Sequence, residues 1–146
     1  MNLILGILTD YYFLAFIIAW ICSILIKTGL TAWKKKTSLD IAEGLKNGGM
    51  PSSHSTVVAA ITTAVYNIQG LTGLFFVSLV FSLIIISDAF RLRRIVGIHG
   101  EEINLLLKKI KKKPIEVIYG HSFFQVIIGI ILGIAVSQIV FLIMYW

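Results

Sequence analysis

Charged side chains are scarce in this sequence. Asp, Glu, Lys and Arg make up only 14% of its 146 residues, whereas 58% are hydrophobic. None of these four residue types occurs in residues 11–26, 51–87 or 117–146. Such long uncharged runs exclude an ordinary soluble domain and are typical of helices that cross a membrane.

Cysteine and cleavage signals are also scarce. Cys22 is the one cysteine, which excludes an intrachain disulfide and predicts ordinary packing for its thiol. No Lys or Arg precedes the first apolar stretch and no small-residue cleavage site is present, so a cleaved signal peptide is not expected. Internal repeats and long linkers are absent as well. These absences predict a single membrane domain over residues 1–146.

The lengths of the uncharged runs predict the number of spans. A helix needs about 20 residues to cross the hydrocarbon layer, so the first and last runs hold one span each and the middle run holds two. The segment Asn67–Gly70 is the natural break in the middle run. The predicted fold is therefore all-α, a polytopic membrane helical bundle of four transmembrane helices. The predicted spans are about 11–32, 51–68, 71–89 and 117–144.

Positive charge is concentrated in two segments. All 13 Lys and Arg residues lie within residues 27–46 or 91–113, which follow the first and third predicted spans. Four spans place both segments on one side of the membrane, and the positive-inside rule makes that side the cytoplasm. We therefore expect a multi-pass protein of the cytoplasmic (inner) membrane with both termini outside. Anionic lipid headgroups are the expected neighbours of these cations, and no nucleic-acid partner is expected.

Two further patterns concern helix packing. Apolar residues at Ile103, Leu107 and Ile110 alternate with lysines, which predicts a cytoplasmic amphipathic helix over residues 103–113 that lies along the headgroups. On the last span, the small-residue pair Gly129 and Gly133 permits close helix approach. That approach is expected either inside the bundle or across a homodimer.

Residues 48–55, Gly-Gly-Met-Pro-Ser-Ser-His-Ser, form the most distinctive motif. Glycines let backbone amides approach an anion closely, and the unpaired N–H groups of a first helical turn attract negative charge. Ser52 and Ser53 add hydroxyl donors, and His54 is able to transfer a proton near neutral pH. The motif predicts a phosphate site at the start of the second span. The alternative is a helix start with serine caps and an incidental histidine.

Two histidines open spans at the same predicted boundary, His54 the second span and His121 the fourth. Ionisable groups beside hydrocarbon are functional candidates, and one histidine could attack a phosphorus atom while the other protonates the leaving oxygen. Nearby cations would neutralise the charge on the transferred phosphoryl group. The alternative for the arginines is topology signalling with lipid contact. The other ionisable groups at this level are Lys27, Asp88, Arg91, Arg93 and Arg94.

A metal site is the competing interpretation of the same residues. The available ligands lack a close-spaced pair such as His-x-x-x-His, so we expect no metal and no cofactor, and Mg²⁺ is not favoured. The side chains considered as ligands are His54, Asp88, His99, Glu101, Glu102 and His121.

These motifs together resemble the divergent type-2 phosphatidic acid phosphatase family, which is related to acid phosphatases and vanadium-dependent haloperoxidases. The resemblance extends over nearly the whole chain, from about Lys27 to Gly133. The motifs that carry it, in order, are residues 48–55, Asp88-Ala89 with Arg93-Arg94, Gly97 with Asn104, and Gly120-His121 with Val126 and Gly129.

The resemblance implies a role for each site residue. Residues 51–54, Pro-Ser-Ser-His, are similar to the Pro-Ser-Gly-His motif of the wider superfamily, which implies that His54 is the general acid. His121 is similar to the superfamily's nucleophilic histidine, whose reaction needs no metal. Phosphate binding is implied for Lys27, Gly49, Ser52, Ser53, Arg93 and Arg94, although both arginines stand further upstream than usual and the Lys27 match is loose.

Gln125 departs from the family pattern, which usually has a carboxylate four residues after the nucleophile. An amide oxygen can accept from the imidazole N–H, but it stabilises an imidazolium less than a carboxylate would. Asp88 is the alternative orienting residue, provided that the third span packs beside the fourth. The alternative for Asp88 is a purely structural ion pair with Arg91.

The implied function is a membrane lipid phosphatase that hydrolyses a lipid phosphomonoester at the cytoplasmic face through a phosphohistidine intermediate. Phosphatidylglycerol phosphate is the favoured substrate because it is made on that leaflet, and isoprenyl (pyro)phosphates are the alternative. Gln125 leaves open a lipid-phosphate binding or translocating protein without turnover. A structural membrane subunit is the third hypothesis.

Overall fold

A computed structural model describes residues 3–45, 48–117 and 119–146. Lys46 of the first basic segment and Ile118 of the fourth predicted span lie outside the described residues. The described part of the chain is helical and contains no strand, so the all-α class is confirmed. The helices are α1 (Leu3–Leu8), α2 (Tyr11–Lys35), α3 (Ile41–Leu45), α4 (Ser53–Gln69), α5 (Gly73–Ser87), α6 (Arg93–Lys109) and α7 (Phe123–Tyr145), with a π-helical turn (Asp88–Leu92) between α5 and α6.

Among the described residues, three helical segments are long and apolar enough to cross a membrane. They are Tyr11–Lys35, the continuous segment Gly73–Lys109, and Phe123–Tyr145. The second predicted span, 51–68, corresponds to α4, which has 17 residues and rises about 26 Å, slightly less than a hydrocarbon layer of about 30 Å. The structure therefore supports a membrane protein with three candidate spans in the described part of the chain, and α4 is not confirmed as a span.

The chain does not form a separate amphipathic helix at residues 103–113. The helix that begins at Gly73 passes through the π-helical turn and continues to Lys109, 37 residues in all. The helix continues into the second basic segment because residues 88–109 contain no proline that would break it. Charged side chains by themselves do not end a helix. The helix ends where Ile110 leaves helical geometry and Lys111 takes a left-handed φ of 54°. Residues 103–109 thus belong to α6.

α4 is the central helix and packs against α2, α5 and α7. Its buried residues are all small or short, which lets the neighbouring backbones approach closely and gain van der Waals contact. The core formed with α2 and α7 contains Tyr11, Ala15, Ala19, Ala60, Ala64, Val136 and Val140.

The glycine pair on α7 faces α4 within the bundle. A Cβ at Gly129 would lie 2.6 Å from the Ser52 carbonyl oxygen, and one at Gly133 would lie 2.1 Å from that of Thr56. Both oxygens belong to the backbone, and a shift of the backbone would cost stability. The two glycines therefore set the distance between α4 and α7, which is the packing role predicted inside the bundle.

Candidate active site

A small cavity brings together the predicted catalytic histidines at the end of the bundle where α4 begins. Its volume is about 110 Å³, and its lining includes Lys27 from α2, Ser53 and His54 from α4, and His121 just before α7. A water molecule takes about 30 Å³ of liquid volume, whereas pockets for larger organic ligands reach roughly 300–1,000 Å³. The cavity therefore has room for a phosphoryl group but not for the body of a lipid.

His121 is held in one tautomer by two acceptors. Its Nδ1 lies 3.2 Å from the Gly49 carbonyl oxygen and 3.3 Å from Gln125 Oε1. The amide of Gln125 is oriented by the backbone N–H of Ser122, which donates to the same Oε1 at 2.9 Å. Because both neighbours of Nδ1 are acceptors, Nδ1 carries the proton and Nε2 carries the lone pair. That lone pair is what a nucleophilic imidazole requires.

Burial also keeps His121 in its neutral form. The side chain is only 4% exposed, and this desolvation lowers the pKa of His121 below its ordinary value, although its hydrogen bonds to Gln125 and Gly49 oppose the shift. A lowered pKa makes the neutral imidazole the main form near neutral pH. The lone pair on Nε2 is then available without a separate base.

Gln125 occupies the orienting position that the sequence analysis gave to either Gln125 or Asp88. Besides contacting His121, it belongs to a capping box at the start of α7, in which Ser122 is the N-cap. Its backbone carbonyl accepts the N–H of Ser52 at 3.0 Å, which ties the start of α7 to the start of α4. One residue thus connects His121 with both helix starts at the cavity.

The serines of residues 48–55 have separate tasks. Ser52 is fully buried and caps α4, since its Oγ accepts the backbone N–H of Ser55 at 3.4 Å and the Ser55 hydroxyl at 2.9 Å. Ser53 lines the cavity, and its buried hydroxyl has no hydrogen-bond partner among the residues that the structure describes. The capping interpretation therefore holds for Ser52, whereas Ser53 is the serine available to a ligand.

Gly49 lies behind the cavity, between Lys27 and His121. Its φ of +79° favours glycine, and an added Cβ would come within 3.2 Å of Lys27 Cγ. Its carbonyl oxygen is one of the two acceptors of His121 Nδ1. Gly49 thus positions two cavity residues, and its predicted contact with phosphate stays a prediction.

The π-helical turn between α5 and α6 supports the segment that carries His121. The N–H of Arg93 bonds to the carbonyl of Asp88, the i to i−5 spacing of a π-helix. The Ala89 carbonyl of this turn accepts the backbone N–H of His121 at 3.0 Å. At Gly120 a Cβ would lie 2.7 Å from the Arg94 nitrogen. The segment before α7 therefore rests directly on the turn, a contact that the sequence analysis did not predict.

Asp88 pairs with Arg93 and not with the predicted alternatives. The Arg93 Nε donates to the Asp88 carboxylate at 3.1 Å, with the two side chains 36% and 37% exposed. The two residues are spaced i to i+5, which matches the hydrogen-bond spacing of the π-helical turn that begins at Asp88. His54 interacts electrostatically with the charges of Asp88, Arg93 and Lys27. Arg94 is exposed and does not line the cavity.

Four further residues line the cavity that the sequence analysis did not select. Gly44 belongs to α3, and a Cβ there would lie 2.2 Å from Thr28 Oγ1 on α2, so only glycine lets α3 pack this closely. A glycine inside a helix is the kind of sequence signal that indicates such a close approach. Of the remaining three, only Trp20 carries a polar group, its indole N–H, and none has a charged or nucleophilic side chain that would have given a chemical signal. The four residues are Trp20, Ile24, Gly44 and Leu45.

The side chains considered as ligands for the competing metal interpretation form no metal-binding group within the described residues. Within the described ranges, no three His, Cys, Asp or Glu side chains are grouped so that they could hold a metal ion. His99 is exposed on α6, and Glu101 on the same helix accepts a hydrogen bond from the Tyr119 hydroxyl. The two histidines of the cavity therefore stand apart from the acidic residues that would complete a metal site.

Comparisons with known proteins agree with the motifs. Residues 8–136 match the family described as the divergent PAP2 family. The chain is also similar to the uncharacterized membrane protein YuiD of Bacillus subtilis (strain 168), with 33% identity over 69% of this chain and 75% of that protein. No solved structure matches the chain.

Proposed function

The chain belongs to the divergent PAP2 family, and from that premise we propose that it is a membrane lipid phosphatase. It hydrolyses a lipid phosphomonoester through a phosphohistidine intermediate. The observation that carries this proposal is the cavity that joins His121, its Nε2 lone pair free, with His54 and Lys27 in a volume of about 110 Å³.

The reaction proceeds in two displacements. His121 Nε2 attacks the phosphorus atom, the bond from phosphorus to the lipid oxygen breaks, and protonated His54 gives its proton to that oxygen. A water molecule then gives a proton to His54 and attacks the phosphorus atom. The phosphorus–nitrogen bond breaks, which releases inorganic phosphate and returns His121 to its neutral form.

Positive charge at the cavity stabilises the phosphoryl group during transfer. Lys27 lines the cavity, where charge develops on the phosphoryl oxygens. Arg93 is not part of the cavity lining, and its phosphate contact is proposed from the π-helical turn beside it. The unpartnered Ser53 hydroxyl adds a donor at the start of α4. Phosphate contacts of Gly49, Ser52 and Arg94 are expected to be weaker or indirect.

The finer topology is part of the same proposal. α4 crosses the membrane as a fourth span, both basic segments lie in the cytoplasm, and both termini lie outside the inner membrane. This places the cavity at the cytoplasmic face, where phosphatidylglycerol phosphate is made, and that lipid is the first substrate to test. Isoprenyl (pyro)phosphates are the alternative substrates.

The test is phosphate release by the purified protein in lipid vesicles. The protein should release phosphate from at least one lipid phosphate and form an acid-labile phosphoenzyme. Substituting His121→Ala should abolish the phosphoenzyme and lower turnover by about 10³-fold or more. The exposed His99 gives a matched control, since His99→Ala should leave both unchanged. A phosphoenzyme that survives in His121→Ala would remove His121 as the nucleophile.

A second candidate function is binding or translocation of lipid phosphates without turnover. The observation that favours it is the contact of an amide, Gln125, with His121 where the family usually has a carboxylate. Saturable binding of lipid phosphate without phosphate release would support this candidate. Higher turnover in Gln125→Glu would instead identify a weakened phosphatase.

A further inference from the structure

An apolar groove adjoins the cavity on the membrane side of His54. Its volume is about 300 Å³, and it runs between α2 and α5 with α4 as its floor. The walls are formed by Phe16 and Trp20 of α2 and Ile85 of α5, and the floor by Val57 and Val58 of α4. Every one of these five side chains is hydrocarbon or indole.

The groove and the cavity share part of their lining. Trp20, Ser53 and His54 border both hollows. Among the described residues, the polar groups of the groove lining belong to Ser53, His54 and the indole N–H of Trp20, and all three residues also border the cavity. A ligand with a phosphoryl group in the cavity therefore has a direct apolar path past His54, where no charged or polar spacer would find a partner.

The apolar path continues along α4. A further hollow of about 260 Å³ shares Val57 and Val58 with the groove and reaches Ile61 on α4 and Phe81 on α5. Its lining also includes Ser78 and Ser82, whose hydroxyls donate to backbone carbonyls and so leave the surface of the hollow mainly apolar. From His54 to Ile61 a helix rises about 10 Å. The two hollows thus form a track that leads from the cavity toward the middle of the membrane.

We infer that this groove seats the hydrocarbon chain of the substrate, with the chain lying over Val57 and Val58 while its phosphate occupies the cavity. The inference rests on the proposed function. His54 stands at the junction, so the oxygen that it protonates is the one that links phosphate to the chain. The alcohol product, which has no phosphate to anchor it in the cavity, then leaves the groove directly into the bilayer.

Shape, and not hydrophobicity, would give the groove its selectivity. Bilayer hydrocarbon is as apolar as the groove, so a chain gains from seating mainly through close packing. A bulky side chain on the floor should therefore exclude the substrate chain without changing the cavity. Any bilayer lipid, or a helix of a second copy of this protein, could cover the groove instead, and both are outcomes that the experiment separates.

The experiment blocks the groove with Val58→Trp, which places a large side chain on the α4 surface of the groove, and Val80→Trp is the matched control. Val80 is 54% exposed on α5 and borders neither hollow. With dodecyl phosphate in mixed micelles, Val58→Trp should raise KM about tenfold, and Val80→Trp should leave it unchanged. Inhibition by vanadate, which needs only the cavity, should stay within about twofold in both variants. An unchanged KM in Val58→Trp would overturn the inference while leaving the phosphatase intact.

Cross-linking supplies a measurement that does not need turnover. A dodecyl phosphate with a diazirine in mid-chain should label Val57, Val58 or Phe16, and unlabelled dodecyl phosphate should compete. Dodecanol should not compete, because a chain without phosphate has no anchor in the cavity. Competition by dodecanol, or labelling that persists in Val58→Trp, would assign the groove to ordinary lipid or to a second copy. Specific labelling without any phosphate release would uphold the groove and defeat the phosphatase.

Discussion

Two polar clusters lie at opposite ends of the same three packed helices, α2, α4 and α7. At the end away from the cavity, the Tyr11 hydroxyl lies 2.9 Å from the Ser137 hydroxyl and accepts the Asn67 amide at 2.8 Å. The Gln138 amide donates to Asn67 at 3.1 Å. We call these four residues the Tyr11 cluster. At the other end, the cavity leaves the Ser53 hydroxyl without a partner.

The difference separates a stabilising cluster from a binding one. A satisfied hydrogen bond contributes about 1 kcal/mol of net stability, whereas a buried polar group without a partner costs about 1–3 kcal/mol. The polar groups of the Tyr11 cluster hold the helices together. The Tyr11 hydroxyl already contacts Ser137 and Asn67, so it is not available to a ligand. The cavity leaves the buried Ser53 hydroxyl without a partner, at a cost in stability that a bound phosphate would offset.

The largest expected effect comes from Gly120→Ala. The added Cβ would meet backbone atoms, the Arg94 nitrogen at 2.7 Å and the Ala89 carbonyl oxygen at 2.9 Å, so the segment that carries His121 must shift. A misplacement of about 1 Å can lower a rate about 100-fold, and we expect a loss of that size in phosphate release. Gly29→Ala is the control, since nothing lies within 4 Å of its Cβ position. Equal activity in both variants would contradict the role of the π-helical turn.

Tyr11→Phe should affect stability and not the reaction. It removes the hydroxyl that contacts Ser137 and Asn67, so the free energy of unfolding should fall by about 1–3 kcal/mol. Thermal unfolding in detergent measures this change, and turnover per folded molecule should stay the same. Tyr12→Phe offers a milder comparison, because its exposed hydroxyl accepts a single hydrogen bond from Gln69. A loss of turnover in Tyr11→Phe would show that the two clusters are coupled.

Neighbouring serines should respond in opposite ways. Ser53→Ala removes an unpartnered hydroxyl, so stability should be unchanged or higher, while vanadate should bind about tenfold more weakly. Ser52→Ala removes the cap of α4 and should lower the free energy of unfolding by about 1 kcal/mol. Thermal unfolding and vanadate inhibition, measured on both variants, separate the two roles. Unchanged vanadate affinity in Ser53→Ala would remove Ser53 from the phosphate site.

The smallest effect concerns pH. Phosphate release requires neutral His121, so the rate should rise as pH increases through the pKa of that group, which burial holds below its usual value. A carboxylate in Gln125→Glu favours the imidazolium and raises the pKa of His121, so the acid limb of the pH–rate profile should move to higher pH. Gln125→Met, of similar volume but without the acceptor, should not move it in that direction. A shift to lower pH in Gln125→Glu would contradict the contact.

The sequence predicted the site better than the helix boundaries around it. His54 and His121 were paired because each opens an uncharged run, and the cavity does join them. The amphipathic helix at residues 103–113 is not confirmed as a separate element, since residues 103–109 belong to α6 and helical periodicity does not reveal that α6 continues from α5. The π-helical turn could not be predicted from the sequence. It differs from an α-helical turn in the spacing of its backbone hydrogen bonds, and that spacing requires no particular residue type.

The sequence by itself determined that this protein is an all-helical membrane protein of the divergent PAP2 family, because uncharged runs and ordered motifs are local properties of the chain. Only the tertiary structure decided which polar side chains have hydrogen-bond partners within the protein and which remain available to a ligand. Ser52 and Ser53 are identical in sequence terms, yet one caps a helix and the other faces a cavity. That distinction depends on the position of each side chain around the first turn of α4, which packing against α2 and α7 sets.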